Sequence, residues 1–315
     1  MVTIGEGQFT YEVQEGWGQL PAGYTFREVA AVGCDADDNV YAFNRGEHPM
    51  IVFDKDGNFM QSWGEGVFPR AHGVTMAPDG TMFLTDDGDH TVRKCTLEGE
   101  VLLTLGTSGH PAAFMSGDPF NRCTHVAIDP RNGDFYVSDG YGNARIHKYS
   151  PDGRLIFSWG KSGNGPGQFN IAHNIGTDRD GLVYLADREN HRVQVFNPDG
   201  RFMGQWNDMS RPCGLYIDQH AGLVYIGELG SAIGPNSQAT GLGPRVSVYD
   251  TEGRQQARVG DGPEGEAPGQ FIAPHGVCLD SVGNIYVGEV SWTHTGQHLD
   301  PPREVRSLQK LVKTA

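Results

Sequence analysis

His72, His173 and His275 each follow a phenylalanine by four residues, in Phe68-Pro-Arg-Ala-His72, Phe169-Asn-Ile-Ala-His173 and Phe271-Ile-Ala-Pro-His275. They occupy the same place in every second copy of an internal repeat. In a ring of six copies, alternate positions lie about 120° apart, so the three imidazoles would converge on one point and could hold one metal ion. Three neutral imidazoles with an open fourth position form the catalytic pattern for Zn²⁺. Imidazole also suits iron, copper and nickel, so Zn²⁺ is expected first and Fe²⁺ or another divalent ion second. A single histidine at such a place would more often be a satisfied buried residue. Three on strictly alternating copies, with Ala30, Thr124 and Cys213 between them, point to a ligand set. Cys213 could approach the metal, although burial as a small apolar residue is the plainer expectation.

Four or five residues past the second-strand aromatic of three copies stand Arg45, Tyr141 and Arg188, in Phe43-Asn-Arg45, Ser138-Asp-Gly-Tyr141 and Ala186-Asp-Arg188. Antiparallel pairing puts the end of the second strand beside the start of the first, so these three should rim the histidines. Two guanidiniums beside a dication suggest a substrate carboxylate, and a tyrosine near metal and arginines can have its pKa lowered enough to act as a base. Asp86, Asp139, Asp187, Glu228 and Glu289 precede this position in five copies whether or not a histidine is present, which reads as backbone capping. His48, His90 and His191 share a later position and read as surface or interblade residues.

The elements that must position these groups follow from the repeat. Asp38-Asn-Val-Tyr41, Asp79-Gly-Thr-Met-Phe83, Asn132-Gly-Asp-Phe-Tyr136, Asp180-Gly-Leu-Val-Tyr184, Ala221-Gly-Leu-Val-Tyr225 and Val282-Gly-Asn-Ile-Tyr286 are six versions of one turn and strand. Each leads into further alternating segments separated by Asp-Gly or Glu-Gly turns, the pattern of antiparallel hairpins. Four strands in about 40 to 50 residues make a propeller blade. The sixth copy ends at its third strand, and Phe9-Thr-Tyr-Glu-Val13 can supply the fourth, closing the ring and removing exposed edges. The expected fold is all-β, a six-bladed β-propeller forming a single domain over residues 1–315. The 45 glycines and 18 prolines suit many tight turns, and 37% hydrophobic residues suffice for a core. Insertions near residues 107–121, 229–244 and 291–303 should lengthen loops on or near the histidine face and shape a pocket or lid.

A net charge of −15 argues against nucleic acid. The longest apolar runs fall far short of the roughly 20 residues that span a bilayer. The amino terminus lacks a signal-peptide pattern, so the expectation is a cytoplasmic protein, or a secreted one if a leader was trimmed. Cys34, Cys95, Cys123, Cys213 and Cys278 contain no C-x-x-C pair and read as reduced thiols.

Pro166-Gly-Gln-Phe169 with His173, Val137-Ser-Asp-Gly-Tyr141, Ala186-Asp-Arg-Glu-Asn190, Asn44-Arg-Gly-Glu-His48 and Ala273-Pro-His275 resemble the peptidylglycine alpha-amidating lyase family of NHL-repeat propellers over nearly the whole chain. The resemblance implies a zinc lyase that cleaves a peptidyl-alpha-hydroxyglycine into a peptide amide and glyoxylate. His72, His173 and His275 would hold zinc, Tyr141 would be the base, and Arg45 and Arg188 would hold the tyrosine and the substrate. The partner implied is a small-molecule or short-peptide substrate carrying a carboxylate. Three departures stand out. The family's structural Ca²⁺ uses an aspartate directly after the third histidine, where this chain has Gly276; a family cysteine follows the tyrosine, where it has Gly142; and a methionine two before the third histidine is Ala273. Other readings of the same residues are a metallohydrolase such as a lactonase, or a carbinol lyase on a different substrate. A non-catalytic NHL interaction module would have no use for the alternating histidines.

Overall fold

The computed structural model describes residues 2–231, 239, 241–260 and 262–314. Six antiparallel blades form a β-propeller. Their first strands are Val29–Cys34, Ala71–Met76, Cys123–Ile128, Ala172–Thr177, Pro212–Asp218 and Pro274–Leu279, and each packs against the first strands of the preceding and following blades in a closed ring. The ring is sealed as the sequence predicts. Phe9–Gln14 pairs with Leu308–Lys313, with Val13 opposite Leu311, and becomes the fourth strand of the last blade. Thr3–Glu6 adds a fifth strand outside it, which the sequence reading did not anticipate.

Alternation of apolar side chains builds six separate cores, one in each gap between neighbouring blades. Between blades one and two, Phe43, Met50, Val52, Phe68, Val74 and Leu84 are buried together. The closing gap between blades six and one holds Cys278, Tyr286 and Leu308 against Val29, Val32, Ile51 and Phe53. Stability therefore resides in the sheets' flanks, which frees the axis for polar groups.

Two local devices place the axial residues. In every blade the first strand carries one extra residue between its first two pairings with the second strand: Ala71 pairs with Asp86 but Gly73 with Thr85, and Pro274 with Glu289 but Gly276 with Gly288. The same shift occurs in the other four blades. Such a bulge re-aims a side chain out of the sheet's alternation, and the bulged position holds Ala30, His72, Thr124, His173, Cys213 or His275. The second device is the loop before it. Phe169 is fully buried against Gly160, whose φ of +98° and lack of a side chain let the ring approach; a Cβ there would lie 2.2 Å from Phe169 Cε2. Phe68 on Gly64 and Phe271 on Gly260 repeat the contact.

The recurrent acids are structural, as expected. Asp86, Asp139, Asp187, Glu228 and Glu289 accept backbone N–H groups of Arg70, Asn121, Asn170, Ser210 and Ile272, each in the segment leading into its blade's first strand. His147, Gln194, Ser247 and Gln309 on third strands hold four of the same carboxylates. His90 and His191 accept the N–H of Arg122 and Arg211 in the next blade, confirming an interblade role. All five cysteines are free, and Cys34 and Cys278 bring their sulfurs to 3.1 Å across the ring closure. Among the described residues, no helix is long and apolar enough to cross a membrane.

Candidate metal centre and its surroundings

His72, His173 and His275 come together at the axis, with one ring nitrogen of each within 4.8 Å of the others, and all three are buried. Each Nδ1 donates to a main-chain carbonyl in the next blade: His72 to Thr124 at 2.7 Å, His173 to Cys213 at 3.0 Å and His275 to Ala30 at 2.6 Å. These acceptors are the three bulged residues without an imidazole. A carbonyl can only accept, so Nδ1 carries the proton and Nε2 keeps its lone pair. The six bulged positions thus divide into three ligands and three latches. Burial pushes all three imidazoles well below the ordinary histidine value, nearby arginines push the same way, and for His72 and His173 so do neighbouring imidazoles. They are neutral, as metal ligands must be. The orientation by a carbonyl on the far nitrogen is the arrangement found around bound metals. The three nitrogens could together hold a divalent ion, with His72, His173 and His275 as its ligands.

Tyr141 stands beside the trio. Its hydroxyl lies 3.1 Å from Nε2 of both His72 and His173, and Arg188 Nη1 donates to it at 3.2 Å. Burial raises the tyrosine above the ordinary phenol value while Arg188 and Arg45 pull it back. The lowered value expected from the sequence is therefore not reached by the arginines alone, because removal from water outweighs them.

Arg45 plays a different part from Arg188. Its Nε donates to the Ala71 carbonyl at 2.8 Å, directly before His72, and its Nη1 to Glu28 at 2.9 Å. It makes no hydrogen bond to Tyr141 among the described residues. Burial pulls its guanidinium down, but Glu28 and Asp87 more than compensate, so it stays charged. Nη2 is buried without a hydrogen-bond partner, 4.0 Å from Asp87 Oδ1, which is equally unpaired. Cys213 contributes a latch carbonyl and also lies against the His173 ring, its thiol pushed up to about 11 by burial.

The sequence reading missed Glu28, Arg70, Arg122 and Arg211, together with Asp87 and Glu189. The first four were legible in the repeat frame, since each stands two residues before a bulged position. Arg122 lies over the Tyr141 ring, 4.7 Å from its centre, and Asp87 accepts from Arg70 and Arg122. Glu189 accepts from Arg188 and Arg211. Five guanidiniums thus face three carboxylates, a local cationic excess in a chain of net charge −15.

The insertions reach this region to different degrees. Residues 107–121 wrap the tyrosine's flank, with Met115 N–H donating to the Gly142 carbonyl and Gly142 N–H to Asn121. A Cβ at Gly142 would lie 1.9 Å from Asn121 Oδ1, so a side chain there would have to displace Asn121. The helix Ser291–His294 starts the third insertion, and Thr293 donates to Glu28 through its N–H and hydroxyl. Half of the 229–244 insertion, residues 232–238 and 240, lies outside the described residues. Gly276 sits against blade one, where a Cβ would be 2.6 Å from Ala31 Cα. An aspartate at that position, the Ca²⁺ ligand of the family, has no room.

Comparison with known proteins agrees with this architecture. The NHL repeat family matches residues 120–149 and 169–196. A fly protein named peptidyl-alpha-hydroxyglycine alpha-amidating lyase 1 (Drosophila melanogaster) is 33% identical over 75% of this chain and 45% of its own length. Human NHL repeat-containing protein 3 is 32% identical over 63% of this chain and 60% of its length. Peptidyl-glycine alpha-amidating monooxygenase B of Xenopus laevis is 28% identical over 90% of this chain and 35% of its length. The chain thus spans between about a third and three fifths of these relatives. Among solved structures, a streptogramin B lyase superposes with a TM-score of 0.62 at 12% identity, covering 98% of this chain and 100% of the other. Virginiamycin B lyase from Staphylococcus aureus, in an inactive variant with quinupristin, gives 0.59 at 14% identity, covering 89% and 82%. These two likenesses concern the fold.

Proposed function

We propose that this chain, an NHL-repeat propeller and a relative of the amidating lyases, is a metal-dependent lyase that cleaves the carbinol carbon–nitrogen bond of an N-acyl-alpha-hydroxyglycine. The observation that carries the reading is the Tyr141 hydroxyl, 3.1 Å from two imidazole nitrogens and 3.2 Å from Arg188 Nη1. A phenol, three imidazole nitrogens and a cation meet at one buried point on the axis. When bound, a divalent ion supplies polarisation of the substrate hydroxyl and positive charge that favours ionised Tyr141.

The protein's own groups do the rest. Tyr141 takes the hydroxyl proton as the carbon–oxygen double bond forms; the carbon–nitrogen bond breaks, and the departing amide nitrogen takes up a proton. The products are an amide and glyoxylate. Arg188 steadies the tyrosine's charge. Arg45 fixes the backbone at Ala71, and through it His72, and adds a buried positive charge beside the trio. The cationic excess suits the glycine carboxylate, so the partner is a small-molecule or short-peptide acid. The test is to load the protein with zinc and supply N-benzoyl-alpha-hydroxyglycine. Benzamide and glyoxylate should appear in equal amounts, faster than in a no-enzyme control; release no faster than that control refutes the lyase reading.

A further inference from the structure

Asp87 is fully buried, with a side-chain exposure of 0%. It accepts from Arg70 Nη1 at 2.5 Å and from Arg122 Nε and Nη2 at 3.1 and 2.6 Å. The two arginines are 34% and 41% exposed. Arg70 Nε and Nη2 and Arg122 Nη1 make no hydrogen bond to other described residues. A staple between blades two and three needs one guanidinium for one carboxylate. Here two guanidiniums crowd one carboxylate with Arg45 close behind, and such like-charge crowding is unfavourable unless an anion joins it.

The pair is also built in place. Arg122 holds a left-handed backbone, φ 62°, its N–H donating to His90 Nδ1 at 3.1 Å. Its guanidinium lies over the face of Tyr141, whereas Arg188 reaches that residue's hydroxyl. One cationic centre therefore sits at the reacting end of the tyrosine and another beside its ring. An alpha-hydroxyglycine has a single carboxylate, which leaves the second centre facing whatever acylates the nitrogen.

We infer that Arg70 and Arg122, anchored by Asp87, form a second anion subsite, and that the substrate carries a second carboxylate on its acyl portion. The inference rests on the proposed reading of the reaction, and its test does not depend on turnover. Calorimetric titration of the purified protein with N-acetylaspartylglycine and N-acetylalanylglycine compares a dianion with a monoanion, neither of which has a hydroxyl to cleave. The dianion should bind on the order of tenfold tighter, as a charge-assisted hydrogen bond allows, with the gap narrowing in high salt. Arg70→Gln and Arg122→Gln each leave Asp87 one arginine partner, and each should shrink the preference severalfold. Equal affinities, absence of binding by both probes, or a preference that survives both variants would overturn the subsite. A dianion preference in a protein that releases no glyoxylate would sink the lyase reading alone; glyoxylate release without the preference would sink the subsite alone.

Discussion

Replacing His173 by alanine should separate metal binding from folding. The imidazole is fully buried and makes two distinct contributions: Nε2 to the ligand set, and Nδ1 to the Cys213 carbonyl at 3.0 Å. A four-ligand zinc site binds with roughly 10–16 kcal/mol, so one ligand accounts for about 3 kcal/mol, and affinity should fall about 10²- to 10³-fold. Loss of the Nδ1 donor leaves a buried carbonyl unpaired, at about 1–3 kcal/mol, a drop of several degrees in Tm for a domain of this size. The propeller should survive, because the six interblade cores are made by other side chains. The assay is competition with a chromophoric chelator for metal, beside calorimetric unfolding and near-ultraviolet circular dichroism of the metal-free protein. A variant with undiminished affinity would refute the three-histidine site, and one that no longer unfolds cooperatively would refute the separation of site from core.

Tyr141→Phe removes one oxygen that touches His72, His173 and Arg188; turnover should drop by at least 10²-fold while elemental analysis shows metal content unchanged. Gly160→Ala forces a Cβ to within 2.2 Å of Phe169 at a φ of +98°, so denaturant unfolding should show a loss of more than about 1–3 kcal/mol. Burial holds His125 down to about 4, against some support from backbone partners. Its folded pKa lies below the unfolded value, so the folded chain binds fewer protons, and stability should fall as pH drops from about 6.5 to 4, by about 3 kcal/mol. Urea unfolding across that range should be flatter in His125→Asn, and an unchanged slope would exclude His125 as the cause.

The sequence by itself determined the propeller, its six copies and the closure by Phe9–Gln14, because turn chemistry and two-residue alternation are local and recur six times. It also determined the histidine trio. A repeat converts sequence register into angular position, so residues about a hundred apart in the chain are known to converge before any coordinate is seen. Their shared place after the second strand of adjacent copies likewise brought Tyr141 and Arg188 to the same rim.

Only the tertiary structure decided how the imidazoles are oriented, since their carbonyl latches belong to the following blades and carbonyls have no residue identity to read. It divided the two predicted arginines, giving Arg188 the tyrosine and Arg45 the backbone before His72. It set removal from water against the pull of Arg188 and Arg45 on Tyr141, because desolvation depends on what surrounds a group and not on which charges lie near it in the repeat. It showed that Gly142 and Gly276, simple departures in a sequence, are places where another part of the chain already fills the space. Charge pairing across blades, which sets Asp87 between Arg70 and Arg122, was equally hidden, because it depends on side-chain reach between neighbouring loops. Local pattern therefore fixes where each residue stands around the axis, and packing decides what it touches there.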